Sequence, residues 1–151
     1  MFAKSLFASW GDMDFNSHMR NTAFLDKAAD VRMMFFAENA FAMDEFVRQG
    51  LGPVVLKDEI EYLHEVRLLE KIEVSLALAG SSEDGSRFAL RNEFRLGDGT
   101  LAARVTSLGG WLDLKRRKLI APPKPLLESM RKLEHTEDFT VLPSSLRRDQ
   151  S

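Results

Sequence analysis

Three features of the sequence predict an α+β domain in which an antiparallel sheet wraps around one long, buried helix. Apolar residues recur at helical spacing across residues 22–39. They then alternate with polar residues from Pro53 to about Leu114, and turn-forming clusters divide the alternating runs. A sheet with one apolar face needs a cover, and the long helix is the natural one.

The chain opens with a strand-like apolar run ending near Trp10, followed by a polar turn that holds Asp12, Asp14 and His18. Asn21 is expected to cap the long helix, because its side chain can accept from the N–H groups of the first turn. Phe24, Leu25, Ala28, Ala29, Val31, Met34 and Phe35 fall at three- and four-residue steps, and Asp26, Lys27, Asp30, Arg32 and Glu38 supply a polar side. Met33, Met34, Phe35 and Phe36 are consecutive, so the later turns are apolar nearly all round, as in a buried helix. A short helix over 43–49 ends at Gly50, just before Gly52-Pro53.

Past Pro53 the period becomes two. Leu56, Ile60, Tyr62 and Val66 share one face, opposite Lys57, Glu59, Glu61 and Glu65. Ile72, Val74, Leu76 and Leu78 repeat the pattern, as do Phe88, Leu90, Phe94 and Leu96 opposite Arg87, Arg91, Glu93 and Arg95. Leu101, Ala103 and Val105 begin a fourth run, and residues 81–86 and 97–99 are the turns. This is an antiparallel meander with one polar face. Pro122, Pro123 and Pro125 break it before a short helix over 126–133. One domain is expected over residues 1–135, with 136–151 a C-terminal tail. A single sheet on one helix leaves edges open, so pairing with another copy is expected.

Composition excludes several classes of function. With 151 residues, 44% hydrophobic and 29% charged, the chain can bury a core without staples. It has no Cys, which removes disulfides and thiolate metal sites, and its three His are widely spaced. The Asp12-x-Asp14 pair lacks an evident third ligand, so no metal is expected. A net charge of −2 gives no global drive toward nucleic acid, and the basic run at 115–118 reads as a solvated turn. The first ten residues are too short and polar for a signal peptide, and nothing approaches the roughly 18 apolar residues of a membrane span. A cytoplasmic protein without membrane or nucleic-acid partners is the expectation.

The most informative stretch is WGDMDFNSHMRNTAF, residues 10–24. It places a carboxylate beside a helix N-terminus, and so an acceptor-only base beside unfilled N–H donors. That arrangement suits chemistry in which a carbonyl oxygen gains negative charge. Asp14 is the candidate for chemistry, and Asp12 reads as a structural member of the turn.

The element order and the Asp12-x-Asp14-x-x-x-His18 turn together resemble the hot dog fold acyl-CoA thioesterases, most closely the hydroxybenzoyl-CoA thioesterase-like family. Its members typically read Asp-x-Asp-x-x-Gly-His-Val-x-Asn-x-x-Tyr at this point. Asp12, Asp14, His18 and Asn21 match, and Met19 and Phe24 are conservative replacements. The likeness in element order covers about residues 5–133. Ser17 stands where the family has Gly, and Arg20 where it has a small or polar residue.

The resemblance implies Asp14 as the catalytic carboxylate, a polarising backbone N–H at or near Asn21, and His18 as either a loop-orienting or a substrate-touching residue. It implies active sites shared between subunits of a homodimer or homotetramer. The resemblance also implies a substrate that is a thioester of coenzyme A, or sometimes of acyl carrier protein, with no cofactor beyond the coenzyme A of the substrate. Asp14 either attacks the carbonyl or activates a water. One oxyanion donor of this kind is worth ~3 kcal/mol in the transition state. Phe24 and Tyr62 read first as core and second as acyl-pocket lining. His64 falls on the apolar face of its strand by parity and reads first as a hydrogen-bonded core residue. Arg87 and Arg91 project from a polar strand face and suit the phosphates of coenzyme A. Arg87 is preferred, since it adjoins the 81–86 turn where the family often meets the nucleotide, and 115–118 is a rival patch. Two other functions fit the same pattern. One is an enoyl-thioester hydratase pairing Asp14 with His18; the other is a non-catalytic acyl-thioester binding protein, suggested by Ser17 and Arg20. The acyl group is not written in the sequence.

Overall fold

The alternating runs build a seven-stranded sheet, seen in a computed structural model that describes residues 1–146. β1 (Phe2–Phe7) leads through a short 3-10 turn (Trp10–Asp12) to α1 (Asn21–Glu38) and α2 (Met43–Gln49). Then come β2 (Leu51–Tyr62), β3 (Lys71–Ser81), β4 (Arg87–Leu96), β5 (Leu101–Asp113) and β6 (Lys118–Ile120). The last two elements are α3 (Lys124–Arg131) and β7 (His135–Val141). The main sheet runs β1-β3-β4-β5-β2, antiparallel throughout, with β6 added beside β5.

The period-two reading of β3 and β4 places the core correctly: Ile72, Val74, Leu76, Leu78, Phe88, Leu90, Phe94 and Leu96 are all buried. Ala23, Phe24, Ala28, Val31, Phe35 and Phe36 of α1 are buried with them in one core. Trp111 of β5 is fully buried; its ring packs on Phe36, Phe46 and Phe88 at centroid distances of 5.7, 6.1 and 5.1 Å. Gly109 makes room for this packing, since a Cβ there would lie 2.5 Å from the Val54 carbonyl oxygen and 2.8 Å from the Phe88 ring. Gly50 takes φ 67° and ends α2 as its spacing predicts.

Four expectations are corrected. Arg32 is not on a polar helix side but only 8% exposed. Its Nε donates to Asn92 Oδ1 (2.8 Å), and Asn92 Nδ2 donates to the Ser75 carbonyl (3.1 Å). Burial pushes the Arg32 guanidinium down to about 10, against the pull of Asp58. Second, His64 is exposed rather than core, because β2 ends at Tyr62. The N–H groups of Leu63 and His64 both donate to the Ala102 carbonyl (2.9 and 3.0 Å), which turns the chain and breaks the parity. Third, a bulge between Val55 and Lys57 leaves Leu56 half-exposed instead of inward. Fourth, the stretch past His135 does not begin as a tail. β7 pairs in parallel with the second half of β3, where Leu78 faces His135 and Ser81 faces Val141. The final five residues of the expected tail, 147–151, lie outside the described residues.

Candidate active site

The turn between β1 and α1 is closed by its own backbone. Asp14 N donates to the His18 carbonyl (2.7 Å), Ser17 N donates to the Asp14 carbonyl (3.1 Å), and Met13 bridges Met19. The Asp14 carboxylate reinforces this: Oδ1 accepts from the N–H groups of Asn16 (2.8 Å) and His18 (3.0 Å). Among the described residues, Oδ2 accepts nothing. The closure requires a left-handed residue at Ser17, with φ 61°, a conformation that glycine adopts without the steric penalty of a Cβ.

Asp12 holds the other side of the turn. Its Oδ2 accepts from the Ser9 N–H (2.8 Å) and hydroxyl (2.7 Å) and pairs with Lys27 of α1 at 2.9 Å. Partial burial works to raise its pKa, but hydrogen bonds from Lys27 and Ser9 outweigh that and hold the carboxyl below its ordinary value. All its contacts are structural.

The start of α1 differs in detail from the sequence reading. Asn21 is the first helical residue and Arg20 is the N-cap, whose side chain makes no capping bond. The Arg20 guanidinium donates to the Gly11 carbonyl and to Thr22 Oγ1 instead. Among the described residues the N–H groups of Asn21 and Thr22 find no acceptor; the first to do so is Ala23, which donates to the Arg20 carbonyl (3.0 Å). Two donors at the positive end of the helix are thus unfilled.

Beside this helix start lies a cavity of about 310 Å³. His18, Phe24, Tyr62, His64 and Glu65 line it, so four residues expected at the site converge there. Asp14 is exposed and adjoins the cavity through His18 without lining it. Tyr62 is half-exposed; its hydroxyl donates to the Asn21 carbonyl (3.2 Å) and its ring meets Phe24 edge-on at 5.7 Å. Phe24 also packs on Phe94 at 5.3 Å, so it is core on one side and cavity wall on the other. His64 Nδ1 lies 2.7 Å from the Glu65 carbonyl oxygen. Glu65 is the residue that sequence reasoning missed: its Oε2 sits 3.0 Å from His18 Nε2. Nothing in the alternating pattern set it apart from Glu59 and Glu61.

The two arginines lie elsewhere in the chain. Arg91 Nη1 and Nη2 donate to Asp138 of β7 (2.8 and 3.1 Å), and its Nε donates to Thr106 Oγ1 (2.9 Å). It lines a larger cavity, about 600 Å³, beside Arg95, Arg104 and Glu93, whose charges are paired with one another or with Glu61. The balanced charge of that groove makes it a weaker match to catalysis than the smaller one. Arg87 adjoins the β3–β4 turn, and among the described residues its buried Nε finds no partner. In that turn Asp84 Oδ1 accepts from Ser82 Oγ, Ser86 N and Ser86 Oγ (2.7, 3.0 and 2.7 Å), and Oδ2 accepts from Ser144 Oγ.

Comparison with known proteins bears on the family and the fold. The model of the Thioesterase-like superfamily matches residues 8–130. No curated protein matches the sequence. A hypothetical protein from Staphylococcus aureus, solved in complex with CoA, superposes with a TM-score of 0.80 at 20% identity, covering 99% of this chain and 90% of its own. A 1,4-dihydroxy-2-naphthoyl-CoA thioesterase from Synechocystis gives 0.78 at 16% identity, covering 89% of this chain and 98% of its own. The YbaW probable thioesterase from Escherichia coli gives 0.73 at 18% identity, with 88% and 98% covered. At these identities the superpositions establish the hot dog fold.

Proposed function

This chain belongs to the thioesterase-like superfamily, and from that premise we propose that it hydrolyses an acyl-CoA thioester to a free acid and coenzyme A. One observation carries the reading. A carboxylate with an unused oxygen, Asp14 Oδ2, stands in the turn that leads into a helix whose first two N–H donors are unfilled. In the general-base route Asp14 takes a proton from water while the water oxygen bonds to the thioester carbon. The carbonyl oxygen becomes negative and is received by the N–H groups of Asn21 and Thr22. Collapse breaks the C–S bond, its electron pair stays on sulfur, and the proton taken by Asp14 ends on the departing thiol. In the nucleophilic route Asp14 itself bonds to the carbon, thiolate leaves, and water hydrolyses the mixed anhydride. Phe24, Tyr62 and His64 line the acyl entry on this reading, and Arg87 is the nearer candidate for the phosphates, since the Arg91 guanidinium is engaged by Asp138.

Two features support an assembly of two or four copies with sites between subunits. Among the described residues β2, 12 residues long, pairs on one side only, and Val55 and Leu56 are half-exposed along it. No helix among the described residues is long and apolar enough to cross a membrane, and a cytoplasmic setting is part of the proposal.

The test is thiol release from a panel of aliphatic and aromatic acyl-CoAs, with Asp14→Asn as the control. Release that vanishes in the folded variant supports the assignment; full activity in Asp14→Asn sinks it. Hydration of crotonyl-CoA without thiol release would assign the hydratase instead. Tight binding without turnover would assign a binding protein. Rapid-quench mass spectrometry of a single turnover separates the routes, because only the nucleophilic one passes through an acyl group bonded to Asp14.

A further inference from the structure

His18 is held at two points. Its backbone N–H donates to Asp14 Oδ1 (3.0 Å), and its ring Nε2 lies 3.0 Å from Glu65 Oε2. The two side chains are 38% and 41% exposed and both line the cavity at the start of α1. Glu65 is itself anchored: Arg67 Nη2 donates to its Oε1 (3.1 Å), which leaves Oε2 for the histidine. The Arg67 hydrogen bond, and after it the charge of His18, hold the Glu65 carboxyl below its ordinary value. Glu65 is therefore an acceptor only, and a ring nitrogen facing it must carry a proton.

We propose that Glu65 is a positioning residue: it accepts from Nε2–H of His18, fixes the ring, and leaves Nδ1 as the nitrogen that serves the departing sulfur. The inference rests on the thioesterase reading. Water gives one proton to Asp14 while its oxygen bonds to the carbonyl carbon. When the tetrahedral intermediate collapses, the C–S bond breaks and its electron pair stays on sulfur. Asp14 hands the proton it took to Nδ1 of His18, directly or through one water, and the imidazolium so formed passes it to the thiolate, so that both groups regain their starting states. Throughout, the Glu65 carboxylate compensates the imidazolium and fixes its orientation, as a carboxylate does behind any catalytic histidine.

The experiment compares wild type with Glu65→Ala by two readouts. Glu65 is exposed, so the fold survives the substitution, and a thermal melt verifies it. Nitrogen-15 spectra of the His18 ring are expected to show a protonated Nε2 in wild type and to lose that fixed pattern in the variant. Turnover of the best acyl-CoA is expected to fall about 100-fold in kcat with KM unchanged, the low end of general acid–base effects. An unchanged ring spectrum, or an unchanged kcat, overturns the proposal. If wild type hydrolyses no thioester, the thioesterase reading falls with it, while the ring spectrum still reports whether Glu65 holds His18.

Discussion

Asp14 and Asp84 perform the same local task and differ in what they keep in reserve. Each closes a tight turn by accepting from backbone N–H groups two residues on. Asp84 uses both oxygens: Oδ1 for Ser82 and Ser86, Oδ2 for Ser144. Asp14 holds its turn with Oδ1 alone and has Oδ2 to offer. A carboxylate whose acceptor capacity is exhausted is part of the scaffold. One that closes its turn with half of that capacity can meet a substrate without the turn opening.

The sharpest way to break this contrast is to neutralise each carboxylate and measure both activity and stability. Asp14→Asn retains an Oδ1 acceptor for Asn16 and His18, so its melting temperature is expected to match wild type. Its kcat in the thiol-release assay should fall about 1000-fold. Asp84→Ala should do the reverse. The loss of its hydrogen bonds, with Ser86 left buried, is expected to cost about 2 kcal/mol, while turnover stays at the wild-type value. Calorimetry would read this as a drop of about 4–8 °C in melting temperature. A cold-stable Asp84→Ala with lost activity would invert the comparison.

Titration gives a finer version. Burial works to raise the Asp84 pKa, yet the hydrogen bonds from Ser144, Ser86 and Ser82 outweigh it and hold the carboxyl well below its ordinary value. The folded pKa is lower than the unfolded one, so this contribution is complete above the unfolded value, about 3.9, and is lost as pH falls toward the folded one. The gap in melting temperature between wild type and Asp84→Ala should therefore be constant near neutrality and narrow below about pH 4. A gap that widens in acid would show that the hydrogen bonds do not favour the ionised form. The smallest effect concerns the strain in the Asp14 turn. Ser17→Gly relieves a left-handed conformation and should raise stability by about 1 kcal/mol, read from denaturant midpoints. A loss of stability would mean that the Ser17 side chain, and not the turn alone, holds the segment.

Much of the fold was legible because its signals are local. The alternation along β3 and β4 identifies buried residues one by one, and Gly50 marks a helix end by its own conformational freedom. What escaped depends on partners far along the chain. Arg32 is polar by identity and looks solvent-facing, but Asn92, 60 residues away, accepts from it under the sheet. β7 has only a weak pattern of its own and becomes a strand because β3 has an open half-edge to receive it. At the site, the turn itself was readable, since Asp14, His18 and Asn21 lie within one short motif. The Glu65 contact was not, because it depends on where β2 stops, and a two-residue turn onto the Ala102 carbonyl decides that. Arg91 looked available for phosphate until β7 brought Asp138 to it.

The division of one β3 edge between two strands also bears on how the protein is made. β1 closes the half from Lys71 to Leu76, and β7 closes the half from Leu78 to Ser81. On the ribosome, β1 is already outside when β3 emerges and can pair at once. The other half must wait until α3 and β7 have been synthesised, and until then it presents unpaired backbone groups of the kind that recruit other chains. The nascent protein is thus most exposed to misassembly in the interval between those two events, and a chaperone that shields strand edges would act there.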